Sequence, residues 1–342
     1  MRNKIEGALY GLALGDSMGM PAELWGRKKT KEFFGSPITG FLDGPKENSV
    51  ACNYKSGQFT DDTGQALVIL DSLSETNYIP NTRNIASKML EWAKKENAFE
   101  NNILGPTSKV ALSNFEKGIE DSSITNGALS NGSAMRIAPI GCLFSPNKKR
   151  ELVEYVYQVS KATHTSDVCI AGAAMIAVGV SSAIINNDFQ EVLKDIYLIE
   201  ELGYEKGAET FSPKLSERTK IGIEIADKYY GNDELFLEKL YNIVGSGVCI
   251  IESVPAAISI AYYAKDPNKS ALLSANLGGD TDTIGAMATS ICGAFTGIEG
   301  IKKEYIDTLS KKNNINFDNY VHILEKGREV LNENIGSWFS NN

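Results

Sequence analysis

Histidine is nearly absent from this chain, with two in 342 residues, His164 and His322. That leaves little for a Ser-His-Asp system, and no Gly-x-Ser-x-Gly nucleophile elbow is present. The five cysteines, Cys52, Cys142, Cys169, Cys249 and Cys292, are odd in number and show neither zinc-pair spacing nor a disulfide framework. Such usage points to a reducing, cytoplasmic setting. Positive charge is also short, with 34 Lys and Arg against 43 Asp and Glu, for a net charge of -9. An acidic chain repels nucleic acid and anionic membranes, so neither is an expected partner. One small phosphate site made from backbone amides stays open. No apolar run is expected to span a membrane. Residues 167–186 come nearest, but their glycines and serines suit a buried core helix. The N-terminal Gly/Ala/Leu stretch, broken by Asp16, makes a poor signal peptide.

Strand patterns are scarce too. Val and Ile recur at helical spacing, and there is no linker, low-complexity tract or fixed repeat. Helices are expected at about 4–14, 62–74, 82–97, 105–117, 134–144, 149–162, 167–187 and 189–201. Later ones are expected at about 215–229, 234–244, 252–264, 268–276, 282–296, 302–312 and 318–336. Residues 15–60 read as mostly loop and 202–220 as a polar surface excursion. The fold class is therefore all-α, in one domain over residues 1–342. Gly7, Gly11, Gly15 and Gly19, spaced by four, line one face of the first helix and permit close helix contact.

What the chain does have is acid in two short signatures. One is Thr60-Asp61-Asp62-Thr63 and the other is Gly278-Gly279-Asp280-Thr281-Asp282-Thr283. Either alone reads as a helix N-cap. Together they offer more oxygens than two caps use, and four packed acids need cations or protons to neutralise them. The donors are hard oxygens, which suit Mg²⁺ or Mn²⁺. Asp16 is read as a hydrogen-bonding support more readily than a ligand. Pro21 should end the first helix and free Glu23, which stands evenly between a surface carboxylate and a site residue. Asn126–Arg136 is a Gly- and Ser-rich loop ahead of a helix, able to cradle a phosphate but without the Lys-Ser/Thr ending of a P-loop. Arg136 there reads as a structural ion-pair partner. In Thr163-His164-Thr165-Ser166, His164 is either a bystander to helix capping or a hydrogen-bonding group for a polar ligand. Gly245-Ser246-Gly247 lacks the third glycine of a dinucleotide fingerprint.

These strings, with Gly11-Leu12-Ala13-Leu14-Gly15-Asp16, Asn131-Gly132-Ser133-Ala134-Met135-Arg136 and the Ile284-Gly285-Ala286 tail, resemble the ADP-ribosylglycohydrolase family. That family includes the ADP-ribosylhydrolases and the glycohydrolase that reactivates dinitrogenase reductase. The motifs keep the family's order over about residues 5–297. The resemblance implies a compact, orthogonal multi-helix fold with a dinuclear Mg²⁺ or Mn²⁺ centre at helix N-termini. By the same resemblance Thr60, Asp61, Asp62, Asp280, Asp282 and Thr283 would hold the metals, and Glu23 would be a mobile glutamate beside them. Asn131, Gly132 and Ser133 would hold the diphosphate, and His164 would contact a ribose. Asp62 or Glu23 would be the acid/base. The implied activity is metal-dependent hydrolysis of an ADP-ribosyl glycosidic bond with release of ADP-ribose, on a modified protein or on a small ribosyl compound. A free-nucleoside hydrolase and a non-catalytic ADP-ribose binder are the alternatives. Thr289 departs from the family's usual glycine, and residues 24–58 and 197–232, where specificity would lie, match nothing in it.

Overall fold

A computed structural model describes residues 1–101 and 103–339. Among them seventeen α-helices form and no strand does. The first six are α1 (Arg2–Gly19), α2 (Arg27–Phe34), α3 (Asp61–Glu75), α4 (Thr82–Lys95), α5 (Pro106–Glu116) and α6 (Ser123–Asn126). A middle group follows: α7 (Ala138–Leu143), α8 (Lys149–Ser160), α9 (Asp167–Ile185), α10 (Phe189–Lys206), α11 (Leu215–Lys228) and α12 (Asp233–Lys239). The last five are α13 (Ile250–Ala264), α14 (Pro267–Ala275), α15 (Thr281–Thr296), α16 (Lys303–Asn313) and α17 (Phe317–Phe339). One apolar core runs through them, from Ile5 to Leu331.

The glycine stripe of α1 decides where distant parts of the chain meet. Gly7 lies on Gly293, Gly11 on Thr289, Gly15 on Gly285 and Gly19 on Thr281. The order is antiparallel, so the C-terminal end of α1 sits at the N-terminal end of α15. There is no room for a side chain between them: a Cβ on Gly15 would stand 1.9 Å from the Gly285 carbonyl oxygen. This packing carries α1 through Asp16 to Gly19, past the expected end at 14, because tertiary burial outweighs glycine's low helix propensity.

Helix α9 is the core. Every residue from Asp167 to Ile184 is buried. Contrary to the sequence expectation, its 19 residues and mean hydropathy of 2.3 do meet the length and apolarity of a membrane span. Protein surrounds it instead, with 94% of its most apolar stretch buried.

Other differences have local causes. Helix α2 forms inside the expected loop and is closed by Gly35 in the left-handed region at φ 67°. Helix α7 is shorter than expected because Met135 and Arg136 turn inward before Pro139 starts the helix. Helix α10 continues to Lys206, and the chain after it is no free excursion. Ala208 bridges to Ser166, and the Thr210 hydroxyl donates to Asp167 at 2.6 Å, tying this segment to the start of α9.

Candidate active site

The first acidic motif opens α3, the second opens α15, and α1 ends between them. Asp16 joins two of these elements. Its Oδ1 accepts the Thr60 amide at 2.8 Å, and its Oδ2 accepts the Thr63 amide at 3.0 Å and the Thr63 hydroxyl at 2.6 Å. These bonds occupy Asp16 as a support for α3, as its sequence context suggested. Burial raises its carboxyl to about 6, and the hydrogen bonds from Thr63 and Thr60 oppose that rise.

Neither motif is spent on capping. Thr60 and Asp280 are the N-caps of α3 and α15, and neither side chain makes a capping bond. The Thr60 hydroxyl donates across the gap to Asp282 Oδ2 at 3.4 Å. Asn131 donates to Asp280 Oδ2 at 2.5 Å and to the Ser253 hydroxyl at 3.1 Å. The loop before α15 can make this approach only with glycine. Gly278 and Gly279 sit at φ 86° and 88°, and a Cβ on Gly279 would lie 2.2 Å from the Ser246 carbonyl oxygen.

Glu23 enters from the far side. Met20–Ala22 form a 3₁₀ turn with Pro21 inside it, and Glu23 follows in extended backbone. Asn48 holds the Glu23 carbonyl at 2.9 Å. Leu24 takes a left-handed φ of 56° and donates its amide to Gly279 at 2.8 Å, which clips this turn to the second motif. Glu23 and Asp61 are half-buried, while Asp62 and Asp282 are 1% and 2% exposed.

Six carboxyls thus share one pocket of low dielectric. Burial is the first cause of every shift among them, and mutual repulsion adds to most. Asp61 rises to about 8 and Asp280 to about 6. Glu23, Asp62 and Asp282 are pushed well above the carboxylate range, Glu23 by burial and then by Asp280, Asp61 and Asp16. Arg136 sets one buried positive charge against them, itself lowered to about 10 by burial.

As the side chains stand, no three His, Cys, Asp or Glu groups among the described residues are spaced to hold one metal ion. The donor chemistry nevertheless fits a hard divalent cation. Asp62 Oδ2 and Asp282 Oδ1, one from each motif, are buried without a hydrogen-bond partner. Two orphaned carboxylate oxygens amid excess negative charge are what a cation would satisfy.

A hydrogen-bonded line that the sequence did not disclose runs from the acids to the glycine loop. Gln65 donates to Asp61 Oδ2 at 2.7 Å, and Arg136 donates to Gln65 and to Thr163. Among the described residues Arg136 forms no ion pair, and its bonds go to Gln65 and Thr163, which corrects its reading as an ion-pair partner. Thr163 meets His164 Nδ1 at 2.8 Å, and His164 Nε2 meets Ser130 at 3.0 Å. His164 is 1% exposed, with both nitrogens engaged internally, and burial lowers it to about 3. It lies under Gly132, where a Cβ would come within 2.7 Å of its ring. The Ser133 hydroxyl turns away from the acids, donating to the Cys169 carbonyl at 3.1 Å. Of the glycine-loop residues, only the Asn131 side chain reaches the acidic group. Gln65 gave no sequence signal, and Ser130 was marked only as part of the Asn126–Arg136 loop, with nothing to show its bond to His164.

A family model for ADP-ribosylglycohydrolase matches residues 1–333. The chain belongs to this family. It is accordingly a hydrolase acting on glycosidic bonds. It is 42% identical over 95% of its length to the Escherichia coli protein YegU, covering 97% of that chain. ADP-ribosylarginine hydrolase Tri1 of Pseudomonas putida is 24% identical, with 90% of this chain and 74% of that one covered. Human ADP-ribosylhydrolase ARH3 is 25% identical over about half of each chain, 52% and 53%. A solved ADP-ribosylglycohydrolase-related protein complex superposes with a TM-score of 0.68 at 18% identity, covering 96% of this chain and 98% of the other. That likeness gives the same fold to this member of the family.

Proposed function

We propose that this ADP-ribosylglycohydrolase-family chain is a metal-dependent hydrolase that cleaves an ADP-ribosyl glycosidic bond and releases ADP-ribose. One observation carries the reading. Asp62 Oδ2 and Asp282 Oδ1 are buried, unpartnered and drawn from the two ends of the chain into one acidic group. Thr60, Asp61, Asp62, Asp280, Asp282 and Thr283 would hold two Mg²⁺ or Mn²⁺ ions. When bound, the ions supply Lewis acidity toward vicinal ribose hydroxyls and lower the pKa of water.

The chain's own residues have separable tasks. Glu23 is half-buried, and burial followed by Asp280, Asp61 and Asp16 raises its carboxyl, which suits it to deliver a proton to the leaving nitrogen or oxygen. Asp62, deeper in the pocket, would be held deprotonated by the bound cations and would accept the proton of the attacking water through the carboxylate oxygen they leave free. The remaining carboxylates offset the positive charge of an oxocarbenium-like transition state. Asn131 keeps Asp280 oriented, and His164, neutral and fully bonded, stiffens the glycine loop from below.

The test is product analysis by mass. Purified protein is incubated with Mg²⁺, Mn²⁺ or chelator against ADP-ribosyl-arginine, an ADP-ribosyl-serine peptide and free nucleosides. Cation-dependent appearance of ADP-ribose supports the reading. Release of free base with the ADP-ribosyl substrates untouched replaces it by nucleoside hydrolysis.

A further inference from the structure

A cleft of about 660 Å³ runs along one face of α3, and the reading above leaves it without a task. Its floor is Thr60, Gly64, Leu67, Val68 and Asp71, which recur at helical spacing on that face. One end adjoins the acidic site through Thr60, which lines the cleft and whose hydroxyl donates to Asp282. Tyr54 stands at the junction. It lines the cleft, and burial followed by the charges of Asp61, Glu23, Asp16 and Asp282 pushes its phenol up.

The walls are built. Trp92 of α4 lies flat on α3 because residue 64 is glycine, where a Cβ would come within 3.1 Å of the indole nitrogen. Tyr320 of α17 closes the far end and donates to Asp71 at 3.3 Å. Asn313 fixes the near end by accepting the Phe59 amide at 3.0 Å and donating to the Gly57 carbonyl at 2.8 Å.

We propose that this cleft binds the polypeptide segment that carries the scissile ADP-ribosyl group, making the cleft a specificity site on the leaving-group side. The proposal rests on the glycosidase reading. Three observations choose a peptide. From Thr60 to Asp71 the floor is about 16 Å long, the span of about five extended residues. The lining mixes aromatic and aliphatic surface with three lysines, Lys88, Lys95 and Lys312, balanced by Asp71, Glu91 and Glu96. That balance gives no preference for a polyanion, and it offers donors and acceptors to a peptide backbone. A base or a single amino acid would leave most of the volume empty.

The experiment compares ADP-ribosyl-arginine with a ten-residue peptide carrying the same modified arginine, and runs the serine-linked pair in parallel. Expected for the wild-type full-length chain is a kcat/KM about tenfold higher on the peptide, carried by KM. Val68→Trp, which fills the cleft, should bring the peptide-to-amino-acid ratio near one. Glu91→Ala, at the exposed rim, is the second variant and should lower the same ratio even if Val68→Trp does not fold. Equal rates on peptide and free amino acid, or variants that slow both alike, overturn the cleft proposal and leave the glycosidase reading standing. No ADP-ribose release from any of the four substrates overturns both.

Discussion

The Thr63 hydroxyl of α3 donates to Asp16 Oδ2 of α1 at 2.6 Å, and the Thr60 and Thr63 amides converge on the same carboxylate. Three donors on one buried acid fix the start of α3, and with it Asp61 and Asp62, to the end of α1. In Asp16→Asn the amide nitrogen must face an N–H donor, leaving one buried group unpaired. The expected cost is about 1–3 kcal/mol of stability, with turnover down about tenfold or more as the motif loosens. Urea unfolding and a single-substrate assay measure both. An Asp16→Asn protein as stable and as active as wild type would remove Asp16 from this role.

Asp280→Ala and Asp282→Ala should each reduce turnover by about a thousandfold or more while the far-UV circular dichroism of the all-helical fold persists. A second effect separates a charge site from a merely structural one. Asp282 is 2% exposed, with Oδ1 unpartnered and raised by burial and by Glu23, Asp62 and Asp280. Its removal should therefore raise the melting temperature of the chelated protein and abolish stabilisation by added Mg²⁺ or Mn²⁺. If the variant melts lower in chelator and still responds to cation, the site assignment fails.

The acids also set a pH dependence. In the folded chain Asp16 and Asp280 titrate at about 6 and Asp61 at about 8, each raised first by burial, whereas unfolded aspartates titrate near 4. Between about 4 and 8 the folded state binds more protons than the unfolded one, so stability falls as pH rises through that window. His164, lowered to about 3 by burial, works in the opposite sense below about 6.5, but as one group against several. Chelated protein should thus be more stable at pH 5 than at pH 8, by on the order of 4 kcal/mol, and saturating divalent cation should flatten the slope. A flat profile in chelator would contradict the raised carboxyls.

Much of this was legible in the chain because its physics is local or periodic. Four glycines at a spacing of four announced the α1 contact, Pro21 announced the break that frees Glu23, and two Asp/Thr strings announced two helix starts. What stayed hidden depends on partners far apart in sequence. Gln65 has no meaning until Arg136 arrives 71 residues later, and Ser130 none until His164 folds beneath it. Arg136 itself read as a structural ion-pair partner, and only its burial beside Thr163 reveals it as a bridge. Helix α2 was missed because its eight residues are strongly polar and only Arg27 and Thr30 are buried, so no apolar period marks it.

The glycine stripe makes a stability prediction with an internal control. In Gly15→Ala the new methyl would stand 1.9 Å from the Gly285 carbonyl oxygen, and the close contact is backbone, which cannot rotate aside. The helices must separate, at a cost of about 1–3 kcal/mol or more. Separation also moves Asp16 away from Thr281–Thr283, so activity should fall with stability. Gly40 has nothing within 4 Å of an added Cβ, and Gly40→Ala should change the melting temperature little. Equal effects from the two substitutions would deny the tight α1–α15 contact its part in bringing the motifs together.

Arg136 tests the buried line between the acids and the glycine loop. Its guanidinium reaches Gln65 with one nitrogen and Thr163 with another, at 1% exposure. Lysine keeps the charge but concentrates it on one nitrogen, so Arg136→Lys cannot hold both partners. Either Gln65 loosens and Asp61 loses its 2.7 Å donor, or Thr163 loosens and His164 loses its Nδ1 partner. The first outcome perturbs the proposed metal side, and the second the glycine loop that His164 holds at Ser130. Activity should fall about tenfold or more in both, with stability reduced by about 1–3 kcal/mol. Cation titration separates them: a weaker response to Mg²⁺ or Mn²⁺ marks displacement of Asp61, and a raised KM at unchanged cation affinity marks the loop. A lysine variant with wild-type kinetics and cation response would mean that the line is scaffold alone.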